Sequence, residues 1–560
     1  MTEYVGDFET TRDIDEFGGI SMRVWLFDLC EIGSNNHITF NDIASGLAWL
    51  ADGDNTVYFH NLKFDGTYIT DHLFRNGYIW EERPTHPGEF SFLISDMGQW
   101  FAGSVVWKNG NKTLFRDSLK KIPLPVGSDD ENDNRCISKA YKLPVTKGKI
   151  DYTAPRPPGY SPTEKELEYV RNDTEIVARA LKIHFDAGMR KMTMPSDAFD
   201  GITKTVKNYY LTLGIKYFRE HPEVEAFCRD AYCGGISYVN PEIQEKEVGK
   251  GVVYDINSLY PHVMRKYPYP VSWPIQLHSH MELDSCLWIA QFEIKAELIP
   301  GRLPTLRANH SWIDTYYEGV VTLTKIDFEM MLENYIVEWR FIGGYKWRHS
   351  DAQLFTEFIT YWGNKKEHDT GGQRQIDKLM MNSGYGKFGI NPKRRKKRAA
   401  LSMAENKVCF SNCDYEYAEC NNVAIASFVT AYARRELMRG VNSSVGFCYC
   451  DTDSVHLATI NGKPPRFGGT VDAVKLGCWK EESTFIRAKY LRQKTYIEEQ
   501  KPGIFEVKAC GMPENCKKLV TWENFRMGAK YPGKLVPIIR PGGADLVERE
   551  FTIVEPEIKF

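Results

Sequence analysis

The stretch Tyr449-Cys450-Asp451-Thr452-Asp453-Ser454-Val455-His456 lies between two short runs of strand-forming residues, 446–449 and 454–459, and reads as a β-hairpin with carboxylates at its tip. An isolated Asp-x-Asp is far more often a plain turn than a site. Its meaning changes with Asp255, which ends a second predicted strand, 251–255, and is followed by Ile256-Asn257-Ser258-Leu259-Tyr260-Pro261. A carboxylate at a strand end beside two on a turn can hold two Mg²⁺ ions against a triphosphate. The chemistry would then be nucleotidyl transfer. One ion would lower the pKa of an attacking hydroxyl, the other would hold the β- and γ-phosphates, and no protein general base would be needed.

Between these acids lie Lys366, Arg374, Lys378, Asn382, Tyr385 and Lys387. Positions 374, 378, 382 and 385 advance by four, four and three, which lines them on one helical face, with Lys366 two turns upstream and some angular drift. Such a face can read phosphates, because a solvated helix more often interleaves acids on the same stripe; periodicity alone leaves a solvated surface open. Lys494-Thr495-Tyr496 follows Lys489 and Arg492, and alternation puts Lys494 and Tyr496 on the same side of a strand. A cation beside an aromatic suits a primer backbone and sugar, although ordinary sheet surface supplies the same pair. In Lys393-Arg394-Arg395-Lys396-Lys397-Arg398, six like charges repel one another unless an anion is near. Contact with nucleic acid is favoured over a solvated loop, without base specificity, and a nuclear import tag is also open.

A separate set of acids occupies the N-terminal third. Asp7 and Glu9 alternate with Gly6, Phe8 and Thr10 in a predicted strand, so both carboxylates share one face of a sheet. Asp65, in Tyr58-Phe59-His60-Asn61-Leu62-Lys63-Phe64-Asp65, and Asp173, in Tyr169-Val170-Arg171-Asn172-Asp173, would complete a four-carboxylate nest. Two ions about 3.5–4 Å apart would there generate hydroxide and stabilise the leaving oxygen of a cleaved phosphodiester. Tyr169 and Asp173 share a helix face, which would let Tyr169 orient the attacking water.

The remaining sequence bounds these readings. The chain has 560 residues, with 71 Lys+Arg against 74 Asp+Glu for a net charge of −3, which excludes a uniformly basic coat but not a local basic channel. Length favours about three or four domains. No run approaches 18 uncharged apolar residues and the start lacks a secretory signal, so a cytosol-like compartment and no membrane-spanning segment are expected. The 13 cysteines read as reduced and mostly buried; Cys448 and Cys450, or Cys409, Cys413 and Cys420, lack the second pair a zinc or iron site needs. Strands are predicted at 4–8, 23–29 and 56–59, a long amphipathic helix at 163–189, and a solvated loop at 129–135. Helices follow at 351–362, 373–381 and 424–439. Residues 261–349, with strands at 288–294 and 319–324, and residues 391–422 are too long for ordinary connections and read as inserted subdomains.

These motifs together resemble the protein-primed DNA polymerases of the B class, of the kind found in bacteriophages with linear genomes. Asp7-Phe8-Glu9-Thr10, Asn61 to Asp65 and Tyr169 to Asp173 are similar to that family's three proofreading motifs. The polymerase motifs are resembled by the Asp255 segment, by Lys378-Leu379-Met380-Met381-Asn382-Ser383-Gly384-Tyr385-Gly386, by the Asp451 hairpin and by Lys494-Thr495-Tyr496, in the family's order.

The resemblance implies an α/β and α+β fold, with a ribonuclease H-like 3′–5′ exonuclease domain followed by a right-hand polymerase domain. The expected spans are exonuclease 1–193, palm 194–260 and 423–525, a first insertion 261–354 holding the priming protein and duplex, fingers 355–390, a second insertion 391–422 for processivity and strand displacement, and thumb 526–560. Asp255 and Asp453 would ligate metal with Asp451 in support, while Lys366, Arg374, Lys378 and Asn382 would meet the triphosphate. Tyr260 would reject a ribose 2′-hydroxyl, and Tyr385 would pack on the nascent base pair. Thr10, His60, Asn61, Phe64, Tyr232, Gly234, Gly235, Lys494 and Tyr496 would contact DNA, and Lys147 would assist editing.

Two Mg²⁺ ions per site, replaceable by Mn²⁺, and a monomeric enzyme acting with template, primer, dNTPs and a terminal priming protein in the host cytoplasm complete the expectation. A reverse transcriptase or an oligonucleotide-primed repair-type polymerase is the alternative. Gly384 stands where relatives carry a larger apolar residue and implies an altered finger-closing equilibrium.

Overall fold

A computed structural model describes residues 1–128 and 135–554. The loop expected at 129–135 therefore lies outside the described residues, apart from Arg135. The first strand, Thr2–Ile14, runs antiparallel to Ile20–Glu31 and parallel to Asn55–Phe59, which places it inside a ten-stranded sheet. A register shift between Glu9 and Thr10 bends the strand just past its two acids. Gly6 admits the neighbouring strand: a Cβ there would lie 2.9 Å from the Phe59 ring. The helix Glu164–Asp186 opens with a capping box between Thr163 and Glu166, and its apolar stripe, including Ile176, Val177, Ala180 and Leu181, packs on Val5 and Cys30 of the sheet.

A five-stranded sheet forms the second centre, in the order Trp479–Phe485, Gly251–Ile256, Ser454–Ala458, Phe447–Asp451, Ser237–Val239. The helix Val423–Asn442 is buried on nearly every side, as an apolar run of that length requires. Two helices, Thr356–His368 and Gly371–Ser383, pack against each other and against the helix Leu259–Lys266. The first begins later than the predicted 351, because Ser350–Asp351 instead pairs with Tyr269–Pro270 as a short antiparallel strand. Gly371 takes φ +56° at the break between them. Lys366 thus belongs to the helix before Arg374, which corrects the single continuous face read from spacing.

The first expected insertion holds a four-stranded sheet and the helix Lys325–Asn334 around its own core of Trp288, Phe292, Phe328 and Met331. The second does not stand apart. Its hairpin, Lys396–Ser402 and Lys407–Asn412, extends the ten-stranded sheet, with Lys396 opposite Ser95 and Lys397 opposite Ile94.

At the C-terminus, the hairpin Lys530–Arg540 and Gly543–Thr552 shares one core with residues 491–525, through Leu491, Ile497, Trp522, Phe525, Tyr531 and Phe551. The expected boundary at 525/526 cuts through that core. This hairpin is latched to the N-terminal sheet: Tyr68 donates to Ala544 O at 2.6 Å, Met22 N–H to Pro541 O at 2.8 Å, and Arg12 pairs with Asp545 at 2.6 Å. Among the described residues, no helix is long and apolar enough to cross a membrane.

Candidate active sites

Asp7, Glu9, Asp65 and Asp173 line one cleft of about 1450 Å³ with Thr10, His60, Asn61, Phe64, Lys147 and Tyr169. Its opposite wall is the C-terminal hairpin, through Leu535, Ala544, Asp545 and Leu546. Asn61, at φ +77°, turns the chain into the helix Leu62–Arg75, so that Asp65 sits in the first turn, where the helix dipole favours a carboxylate. Burial, then the Asp173 charge, pushes Asp7 up to about 7. Burial, then Asp7, raises Glu9 and Asp65 as well. Lys147 donates to Asp173 Oδ2 at 2.7 Å, while Oδ1 of Asp65 and of Asp173 are buried with no hydrogen-bond partner. The Tyr169 hydroxyl lies 2.9 Å from that of Tyr152.

His60 departs from its expected strand contact. Its ring nitrogens lie 3.0 Å from Ser118 Oγ and 2.8 Å from Leu124 O, and burial pulls its pKa down to about 4. Both polar atoms of the ring are taken up inside the protein.

In the second sheet, Asp255 stands opposite Ser454 on one side and Lys480 on the other, and Lys480 Nζ is 3.1 Å from Asp255 Oδ1. Ile256 N–H donates to Asp453 O at 2.7 Å, fixing the hairpin tip to the strand end. Thr452 turns that tip at φ +59°, and a Cβ on Gly235 would lie 2.8 Å from Thr452 Oγ1, so glycine is needed for the close approach. Burial, then Asp255, pushes Asp453 up to about 7. Asp451 is held by Lys494 Nζ, 2.9 Å from both carboxylate oxygens, and by the Tyr449 hydroxyl at 3.2 Å.

Lys494 lies in the turn before Thr495–Lys501 at φ +56°, which corrects the shared strand face with Tyr496; that tyrosine packs instead against Tyr449, His456 and Tyr490. Tyr260 and Tyr385 stack with ring centroids 4.5 Å apart. Arg374 donates to Lys366 O, and Lys366 is held below the ordinary lysine pKa by burial and by the charges of Arg374, Lys378 and Lys480. Lys378 and Asn382 are exposed on the second helix. Tyr232 is in contact distance of Gly389, where a Cβ would meet its ring at 2.6 Å.

Two residues of this centre were missed in the sequence. Lys480 gives no signal in one strand alone, because its place opposite Asp255 is set by a register between distant segments. Arg434 did give one, as a charge inside an apolar helix. It is buried, pairs with Asp327 at 2.7 Å and donates to the carbonyls of Cys233 and Gly234. The basic block also has its own anions: Arg394 and Lys396 pair with Glu416, Lys396 also with Glu82, and Arg395 with Asp96. Gly384 has an ordinary helical φ of −71°, and a Cβ there would lie 2.5 Å from Ile202 Cδ1, so it serves packing rather than unusual backbone.

The family profile described as DNA polymerase type B, organellar and viral, matches residues 51–464. The chain belongs to that family. The DNA polymerase of Bacillus phage B103 is 36% identical over 98% of both chains, and that of Bacillus phage phi29 is 35% identical over 98% of both. The phi29 DNA polymerase complexed with primer-template DNA superposes at a TM-score of 0.88, with 33% identity over 99% of this chain and 100% of that one. Likeness across the whole length places the polymerase with the phi29-like, protein-primed branch to which its motifs pointed, and removes the reverse transcriptase alternative. The enzyme is a DNA-directed DNA polymerase with the α/β architecture of that branch.

Proposed function

We propose that this polymerase copies a linear phage genome from a protein primer, displacing the strand ahead, and edits its product 3′→5′ at the N-terminal site. The observation that carries this reading is two separate carboxylate sites among the described residues, the second joined through Lys480, which pairs with Asp255 and acts on Lys366, to a cationic helix pair. The phi29 enzyme has been seen with primer-template DNA and incoming nucleotides, which supports template, primer and dNTPs as substrates here. The division into exonuclease, palm, fingers, thumb and two insertions carries over from the resemblance, with the thumb core extended back to residue 491. A monomeric enzyme working in the cytoplasm of an infected host, with a terminal priming protein docked on the first insertion, completes the proposal.

Both sites fit divalent cations, although no three acids, histidines or cysteines converge at metal-holding distance among the described residues. Lys147, Lys480 and Lys494 each hold one carboxylate, while unpartnered buried oxygens on Asp65 and Asp173 and the raised pKa of Asp453 mark places where positive charge is lacking. Asp255 and Asp453 would hold Mg²⁺, or Mn²⁺, in one site, and Asp7, Glu9, Asp65 and Asp173 in the other. Bound there, the ions supply an activated hydroxyl or water and neutralise charge on the phosphate.

The chain's own groups do the rest. Lys366, Arg374 and Lys378 receive the triphosphate, with Asn382 beside them. Tyr260, stacked on Tyr385, would lie under the sugar and reject a 2′-hydroxyl, with Tyr385 against the nascent base pair. Tyr169, backed by Tyr152, orients the water that attacks in editing, and Lys147 steadies Asp173. Thr10, Asn61 and Phe64 line the path of a frayed strand. Tyr232, Gly234, Gly235, Lys494 and Tyr496 would contact the primer strand as it passes from one site to the other.

Mixing the enzyme with its cognate priming protein, a genome-end template, Mg²⁺ or Mn²⁺ and labelled dNTP should yield a covalent protein-nucleotide adduct. Primer extension without any adduct would remove the initiation mode and leave the polymerase. Asp255→Ala should cut extension by about a thousandfold or more while digestion persists, and Asp7→Ala with Asp65→Ala should do the reverse. Loss of both activities from either variant, with folding intact, would refute two independent sites.

A further inference from the structure

Lys480 is the cation closest to the synthetic carboxylates whose role neither spacing nor resemblance supplies. It lies on the strand Trp479–Phe485, across from Asp255, with side-chain exposures of 38% for the lysine and 20% for the aspartate. The pair therefore opens onto the site. Ion pairs this exposed contribute little to stability, and the strands are already joined by their backbones, so fold maintenance gives little reason for a lysine here. The neighbourhood gives a better one. Arg374, Lys378 and Lys480 all act on Lys366, so three cations lie within electrostatic reach of a fourth. Such a group repels itself until a highly charged anion enters, and a nucleoside triphosphate carries that charge.

We infer that Lys480 is a further substrate-reading residue of the synthetic site, exchanging its ammonium between Asp255 in the resting enzyme and the phosphates of the incoming triphosphate. The inference deepens the proposed function and rests on it. A four-carbon stem lets the ammonium swing, and its three N–H donors can all be used by phosphate oxygens. At Asp255 the same ammonium competes with any divalent cation for the carboxylate. Removing it should therefore have two effects of opposite sign, weaker nucleotide binding and tighter metal binding, whereas loss of a merely structural pair would leave nucleotide binding unchanged.

The test uses the full chain carrying Asp7→Ala and Asp65→Ala, so that only the synthetic site is titrated. Lys480→Ala and Lys480→Arg are compared with this parent by primer extension, and by Mn²⁺ binding without nucleotide, read by electron paramagnetic resonance. Lys480→Ala should raise the dNTP KM about tenfold with kcat within about threefold, and Lys480→Arg should recover most of the loss. Its Mn²⁺ dissociation constant should fall by about threefold or more. If the alanine variant does not melt cooperatively, Lys480→Met, which keeps the stem, takes its place. An unchanged KM, or Mn²⁺ binding that stays the same or weakens, overturns the exchange. A folded parent that cannot extend a primer overturns instead the independence of the two sites on which the inference rests.

Discussion

At the scale of single residues, the most direct tests concern groups whose surroundings are tightly defined. An alanine at position 384 would press its Cβ on Ile202 Cδ1, so Gly384→Ala should lower unfolding stability by about 1–3 kcal/mol. Ile202→Val deletes that one carbon and should recover much of the loss; purely additive effects in a double-mutant cycle would reject the clash. His60 gives a pH signature. Its pKa of about 4, against 6.5 in the unfolded chain, means the unfolded form binds the proton more readily. Its contribution to stability is complete above pH 6.5 and is lost as pH falls toward 4. Urea titrations should show the gap between wild type and His60→Gln shrinking by about 2–3 kcal/mol from pH 7 to 4.5, and a constant gap would count against it. Asp7, Glu9, Asp255, Asp451 and Asp453 were legible because strand alternation and strand ends fix where a short side chain points. Lys494 was not, because its turn needs a positive φ at a residue that carries no sign of it.

At the scale of elements, legibility followed locality. The helix predicted at 163–189 was found at Glu164–Asp186, since its cap and apolar stripe are written in adjacent residues. The strands around 23–29, 56–59 and 251–255 were found for similar reasons. The hairpin of the second insertion was read only as an oversized connection, because its partner strand is roughly three hundred residues earlier and nothing nearby announces the pairing. That docking now separates the charges of the basic block. Lys396 is engaged with Glu82 and Glu416, whereas Lys397 and Arg398 have no carboxylate partner within 4 Å among the described residues. Reversing both to Glu should shorten products on long templates, increasingly so as salt rises, while single-nucleotide addition persists. Product length that stays the same across a salt series would argue against DNA contact by this block.

At the scale of the whole molecule, the latch between the C-terminal hairpin and the N-terminal sheet closes one side of the N-terminal carboxylate cleft. Asp545 has a side chain only 2% exposed and receives both Arg12 and Arg540 at 2.6 Å, so its removal leaves two arginines without their shared anion. Asp545→Ala should open the latch and shorten the product made in one binding event, measured with a trap for dissociated enzyme. Undiminished length would mean that the contact does not help retain DNA. No single stretch of sequence carries the latch, because its partners are between 476 and 533 residues apart.

The shared ten-stranded sheet bears on how the chain is made. A ribosome adding about 5–20 residues per second completes residues 94 and 95 roughly 15–60 s before the segment around 396 that will pair with them. During that interval the nascent N-terminal half leaves the edge at Ile94 and Ser95 unfilled, the kind of surface on which newly made chains stick to one another. Fragments that stop short of residue 396 would keep that edge for good, so the N-terminal half, expressed alone, should be prone to clumping unless a strand is supplied in trans.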